Sequence, residues 1–231
     1  MNDLLEGLRQ AFDLIISLDP ALYEIIWFSL YVSGVALIYS IIIGIPLGAF
    51  LGLQRFIGRR FVIALLYTGM GFPPVVIGLF VYLMLSRSGL LGDLGWLFSA
   101  KAVIVAQVII SFPLVAGFTM AAVMGVNPHL RRQLLALGAT DWQATLTILA
   151  EAKIGVIVSV IAGFGAIISE VGAVMLVGGN IEGKTRTLTT AIVLETRKGN
   201  FDLAIALGII LLVIAFLINL SMLRLQGKEA T

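Results

Sequence analysis

A single ionisable side chain, Glu170, falls inside the long apolar runs of this 231-residue sequence. A carboxylate at such depth is costly unless it faces protein or water, and its chemistry there is proton relay or acceptance of hydrogen bonds. Small residues surround it, from Gly163 and Gly165 through Ser169 to Gly172, which suits tight packing against another helix. Ser169, Glu170 and Gly172 are therefore the candidate intramembrane or gating residues. Further on, Lys184-Thr185-Arg186-Thr187 alternates bases with hydroxyls. Its two positive charges attract an anion, within a reach that salt limits to about 10 Å. Other chemistries lack their residues. There is no cysteine, which excludes disulfides and thiolate metal sites, and one histidine, His129, cannot build a His-rich centre. No Gly-x-x-x-x-Gly-Lys-Ser/Thr loop is present to cradle a nucleotide.

The elements that must position these residues follow from composition. Hydrophobic residues make up 60 % and charged residues only 12 %, with a mean hydropathy of +1.08. Soluble domains carry about twice that charge. The uncharged runs are 25–54, 61–86, 102–126, 154–181 and 203–223, with Glu170 the one exception. Each reaches the roughly 20 residues that cross a hydrocarbon core as helix. Barrel strands need shorter segments of alternating polarity, so the expected fold is an all-α integral membrane protein with five spans. The net charge of +2 implies no nucleic-acid partner, because the bases lie between the runs.

Five spans put the two ends on opposite faces. With the N-terminus outside, the inner segments hold eight bases against three acids, and the outer ones seven against nine. The short connector 55–60, with Arg55, Arg59, Arg60 and no acid, is the clearest signal under the positive-inside rule. The expected topology is N-out/C-in, which makes Lys184–Thr187 the candidate outer mouth. Residues 1–20 read as an amphipathic interfacial segment, with Leu4, Leu8, Phe12 and Ile15 on one face. That segment lacks the basic start and short apolar core of a signal peptide. Residues 21–224 read as one transmembrane domain.

Within the spans, Gly44, Gly48 and Gly52 share a helical face on which another backbone can approach closely. Pro46, Pro73, Pro74 and Pro113 free carbonyls one turn earlier and mark either a structural kink or a pathway-lining bend. The five runs contain no Lys or Arg. An anion crossing them meets only hydroxyls such as Ser111, Thr119 and Ser159, amides such as Gln107, and freed backbone groups.

The longest inner connector, 127–151, reads as helix, turn, helix. Asn127 caps the first helix and Pro128 opens it; Leu137-Gly138-Ala139-Thr140-Asp141-Trp142 form the turn and present Trp142 to the cytosol.

Gly138, nine further residues and then Ile148 resemble the cytoplasmic loop motif of ABC importer permeases. The sequence departs from that motif at Arg132-Gln133-Leu134, where the family has Glu-Ala-Ala, and at Ala150-Glu151, where it has Leu-Pro. Two further stretches resemble oxyanion permeases for molybdate, sulfate and tungstate. One is Ser169–Val174 followed by Gly179–Thr187; the other is Gly44-Ile45-Pro46-Leu47 with Phe72–Gly78. Within that group, 177–181 (Val-Gly-Gly-Asn-Ile) and 189–196 (Thr-Thr-Ala-Ile-Val-Leu-Glu-Thr) look most like tungstate permeases.

The resemblance implies a type I importer permease, not an enzyme, in the plasma (inner) membrane. It implies a second copy of the chain, two ATP-binding-cassette ATPase subunits that hold ATP and Mg, and an extracellular or periplasmic oxyanion-binding protein. Residues 137–142 would then be the ATPase-coupling residues, and this chain would carry no cofactor of its own. Alternatives are a molybdate or sulfate permease of the same group, or a proton-coupled secondary transporter using Glu170. Such transporters are typically built from duplicated halves, and five spans do not divide equally. A purely structural assembly subunit is a third reading.

Overall fold

Apolar runs of this length become helices because only a helix satisfies its own backbone inside hydrocarbon. The computed structural model describes residues 20–225 continuously, together with Arg9, Phe12, Asp13, Ile16 and Ser17. Among these residues there are ten α-helices, one 3-10 turn (Gly92–Leu94) and no strand. The helices are α1 (Pro20–Leu53), α2 (Arg59–Met70), α3 (Pro74–Leu85), α4 (Ala100–Met124) and α5 (Pro128–Ala136). They continue as α6 (Asp141–Glu151), α7 (Lys153–Ile168), α8 (Gly172–Gly178), α9 (Leu188–Lys198) and α10 (Phe201–Leu225). Three of them, α1, α4 and α10, are long and apolar enough to cross a membrane alone. The bent pairs α2–α3 and α6–α7 raise the number to five if each pair is one span. The amphipathic segment expected at 1–20 lies outside the described residues, the few positions named above excepted.

Two apolar runs are less regular than hydropathy suggests. Run 61–86 is two 12-residue helices bent by 99°. Pro73 caps α3 in an extended conformation and Pro74 opens it; a residue before proline is pushed out of the helical region, so the chain must turn there. Run 154–181 breaks at residues 169–171, between α7 and α8. Pro46 and Pro113, by contrast, sit inside continuous helices.

The chain forms two compact units. The first comprises residues 1–36, 73–107 and 165–220. In it α3 and α8 cross with their backbones almost touching. A Cβ on Gly78 would stand 2.5 Å from Ala173 Cα, and one on Gly172 would stand 2.5 Å from Val75 Cγ2. Leu22, Leu188, Ala191, Ala206, Leu207 and Ile210 make its apolar core.

The second unit comprises residues 37–72, 108–164 and 221–231. The glycine face of α1 packs on α4: Gly44 meets Val115, Gly48 meets Ala116 and Thr119, and Gly52 meets Val123. Ser40 and Ser111 share a buried hydrogen bond of 2.6 Å, and Thr119 and Ser159 one of 3.0 Å. Ser111, Thr119 and Ser159 are among the hydroxyls that the runs offer a crossing anion. They are fully buried and tie helices together through these hydrogen bonds.

Candidate functional site

The hairpin α5–α6, in the second unit, is built by its caps. Asn127 accepts the N–H of His129 at 2.9 Å, and Pro128 opens the helix. At the far end the N–H of Ala139 reaches the carbonyl of Leu134 and that of Gly138 reaches Leu135, the paired closure that a left-handed residue permits. Gly138 has φ +91° with open space around its Cα, so glycine is required there by backbone conformation rather than crowding. Thr140 caps α6 reciprocally with Gln143, and Arg131 Nη2 donates to Asp141 Oδ1 at 2.6 Å. Ala144 and Ile148 are buried on the inner side of α6. Leu137 and Trp142 project outward, 85 % and 68 % exposed. All six residues expected to couple to an ATPase therefore lie on one turn, with two large apolar side chains unburied.

The segment 169–190 belongs to the first unit. Glu170 is half-buried, and its Oε1 accepts the N–H of Ala173 at 2.9 Å. The carboxylate thus satisfies an orphan donor at the start of α8, where negative charge is also favoured by the helix dipole. Thr189 Oγ1 donates to the Glu170 carbonyl at 2.9 Å. Glu170, Thr187, Thr189, Ser29, Ser33 and Gln107 line one polar crevice that has no room for a water molecule. Ser169 is exposed and donates to Gly165 O. Gly172 is needed for the close crossing with α3 described above.

The four outer-mouth candidates are engaged differently. Thr185 is fully buried. It donates to Gly178 O at 2.6 Å and accepts from Ile181 N at 3.0 Å, pinning its own loop. Thr187 is the buried N-cap of α9, paired reciprocally with Thr190. Arg186 pairs with Glu182 at 3.1 Å with only 16 % of its side chain exposed, which leaves Lys184 as the exposed charge of the four. At the other end of α9, the carboxylate of Glu195 accepts from Lys198 Nζ and Asn200 Nδ2, each at 2.8 Å. Those bonds, Lys198 first, hold its pKa below the ordinary carboxylate value against the opposing effect of burial.

Sequence reasoning missed Ser29 and Thr189 as members of the crevice. Their only signal is a hydroxyl at an interior position, and nothing local says which distant backbone group each will meet.

Residues 44–228 match the family described as the binding-protein-dependent transport system inner membrane component. The chain belongs to this family. A tungstate uptake system permease of Peptoclostridium acidaminophilum is 40 % identical over 228 residues, covering 99 % of this chain and all of that one. A probable anion ABC transporter permease of Haloferax volcanii is 43 % identical over 196 residues, with 83 % and 84 % covered. A molybdenum transport permease of Escherichia coli falls to 28 %, with 92 % and 97 % covered. The fold is that of ABC importer permeases. A methionine ABC transporter in an inward-facing conformation superimposes with a TM-score of 0.75 at 20 % identity, covering 90 % of this chain and 96 % of that one. A bacterial alginate importer gives 0.74 at 23 % identity, with 95 % and 84 % covered.

Proposed function

We propose that this chain is the membrane-spanning permease of an ATP-driven importer that carries tungstate. The likeness at 40 % identity to a tungstate uptake permease, end to end in both chains, carries the reading, and molybdenum and sulfate permeases at 28 % and 26 % stand further away. The chain pairs with a second copy of itself and with two ATPase subunits, and it takes its anion from a solute-binding protein. The last point is supported by an alginate importer of the same fold in complex with a ligand-bound periplasmic protein.

In this reading the N-terminus faces outward, and the α5–α6 turn offers Leu137 and Trp142 to the ATPase. Closure of the ATPases moves the two turns together and swings the pathway open, a rigid-body switch. The five uncharged runs carry no Lys or Arg, so the permease conducts the anion and the binding protein selects it. Convergent charged donors are what tight oxyanion binding needs. Glu170, engaged as a cap, is assigned to holding the 169–190 segment rather than to relaying protons.

Cellular accumulation tests this. Cells lacking their own tungstate uptake, supplied with this chain, its ATPase and its binding protein, are expected to accumulate tungsten from sub-micromolar medium. Equal or greater accumulation of molybdenum or sulfur in the same cells would overturn the choice of anion.

A further inference from the structure

Four arginines converge on one cavity of the second unit. The cavity has a volume of about 610 Å³ and is lined by Arg55, Arg59, Arg131 and Arg132 over a floor that includes Val123 and Met124, with no acidic side chain in its wall. Among the described residues, Arg131 is the one of the four with a carboxylate partner, Asp141, and its Nε is buried without an acceptor. Arg59 Nε donates to the carbonyl of Leu51 at 2.8 Å, and Arg132 Nη2 lies 3.1 Å from His129 Nδ1. Arg55 has no ion pair with any described residue. Three uncompensated guanidinium groups around one hollow repel each other unless an anion joins them. Their planar forks match phosphate oxygens two at a time.

The surroundings are apolar in a way that a free anion does not use. Ile57, at the tip of the same connector, is fully exposed, as are much of Phe61 and part of Phe56. Leu51, whose carbonyl holds Arg59, also lines an apolar groove of about 270 Å³ with Leu66 and Phe112. The Arg59–Leu51 hydrogen bond thus ties a residue of the charged hollow to a residue of the apolar groove. We propose that this corner binds an anionic phospholipid, with its phosphate among the arginines and an acyl chain along the groove. Basic pockets beside spanning helices hold acidic headgroups in this manner. The proposal does not depend on which anion is transported or on which face is outward.

The test uses the full-length protein, purified from membranes in a zwitterionic detergent and stripped of lipid. It is titrated separately with dioleoylphosphatidylglycerol, dioleoylphosphatidylcholine and inorganic phosphate, and bound lipid is read by native mass spectrometry with melting temperature alongside. Phosphatidylglycerol is expected to bind and to raise the melting temperature, whereas the other two at equal concentration do neither. R55Q and R132Q, both at exposed positions, are expected to weaken phosphatidylglycerol binding about fivefold each, and R55K is expected to lose less than R55Q. Equal binding of phosphatidylcholine would overturn the arginine site and leave a generic acyl groove. Equal stabilisation by inorganic phosphate would make it a free-anion site, and unchanged affinity in the correctly eluting double variant R55Q/R132Q would remove the arginines from it.

Discussion

The hydroxyl of Ser29, on α1, accepts the backbone N–H of Leu188, the first residue of α9, at 2.8 Å. The same hydroxyl donates to the carbonyl of Ile25 at 2.7 Å, so its one proton is committed. Residues 159 positions apart are thereby joined at a helix start that water does not reach. Ser29→Ala leaves the Leu188 N–H buried and unpaired, at a cost of about 1–3 kcal/mol. The purified variant is expected to melt well below the parent, with Ser29→Thr in between. Coincident melting curves for Ser29→Ala and parent would show that the bond contributes nothing.

Glu170 offers a comparison of shape against charge. Glu170→Gln retains an oxygen for the Ala173 N–H, whereas Glu170→Ala leaves that donor without its partner. Transport is expected to fall less in the glutamine variant than in the alanine variant. Complete loss in both would instead assign the function to the negative charge, as a proton relay requires.

Much of this arrangement is legible in the sequence, and the rest fails for identifiable reasons. The caps at Asn127 and the turn at Gly138 are local, and local chemistry specifies them. The glycine face of α1 is periodic, so its close packing follows from spacing. The 99° bend at Pro73-Pro74 is invisible to hydropathy, because both α2 and α3 stay apolar through it; the proline pair was its only sign. Thr185 and Thr187 look like mouth-lining hydroxyls beside two bases, yet Thr185 is engaged by backbone groups of its own loop and Thr187 by the first turn of α9. A sequence shows which residues can donate, but not which of them the fold has already used.

The exposed turn separates docking from folding. Trp142 is largely exposed, so Trp142→Ala is expected to leave the stability within about 0.5 kcal/mol of the parent, the range of ordinary surface changes. Stimulation of the partner ATPase is expected to drop severely in the same variant, since large anchors carry most interface energy. A variant complex that assembles and stimulates like the parent would relocate the coupling surface.

Acid should loosen the end of α9. The folded pKa of Glu195 is depressed below its ordinary value of 4.5, chiefly by Lys198 and then Asn200. Its stabilisation is therefore present above the unfolded value and is lost as pH falls through the folded one. Melting temperatures measured downward from pH 6 are expected to fall less steeply below about pH 4.5 in Glu195→Gln than in the parent. Parallel slopes in that window would remove Glu195 from the acid response.

Transport in proteoliposomes tests the central claim most directly. The chain and its ATPase, reconstituted with MgATP on the ATPase side and the tungstate-loaded binding protein on the other, are expected to accumulate labelled tungstate. Omission of either ATP or the binding protein is expected to abolish that uptake. Accumulation driven by a proton gradient without ATP would contradict the account and restore Glu170 as the working group.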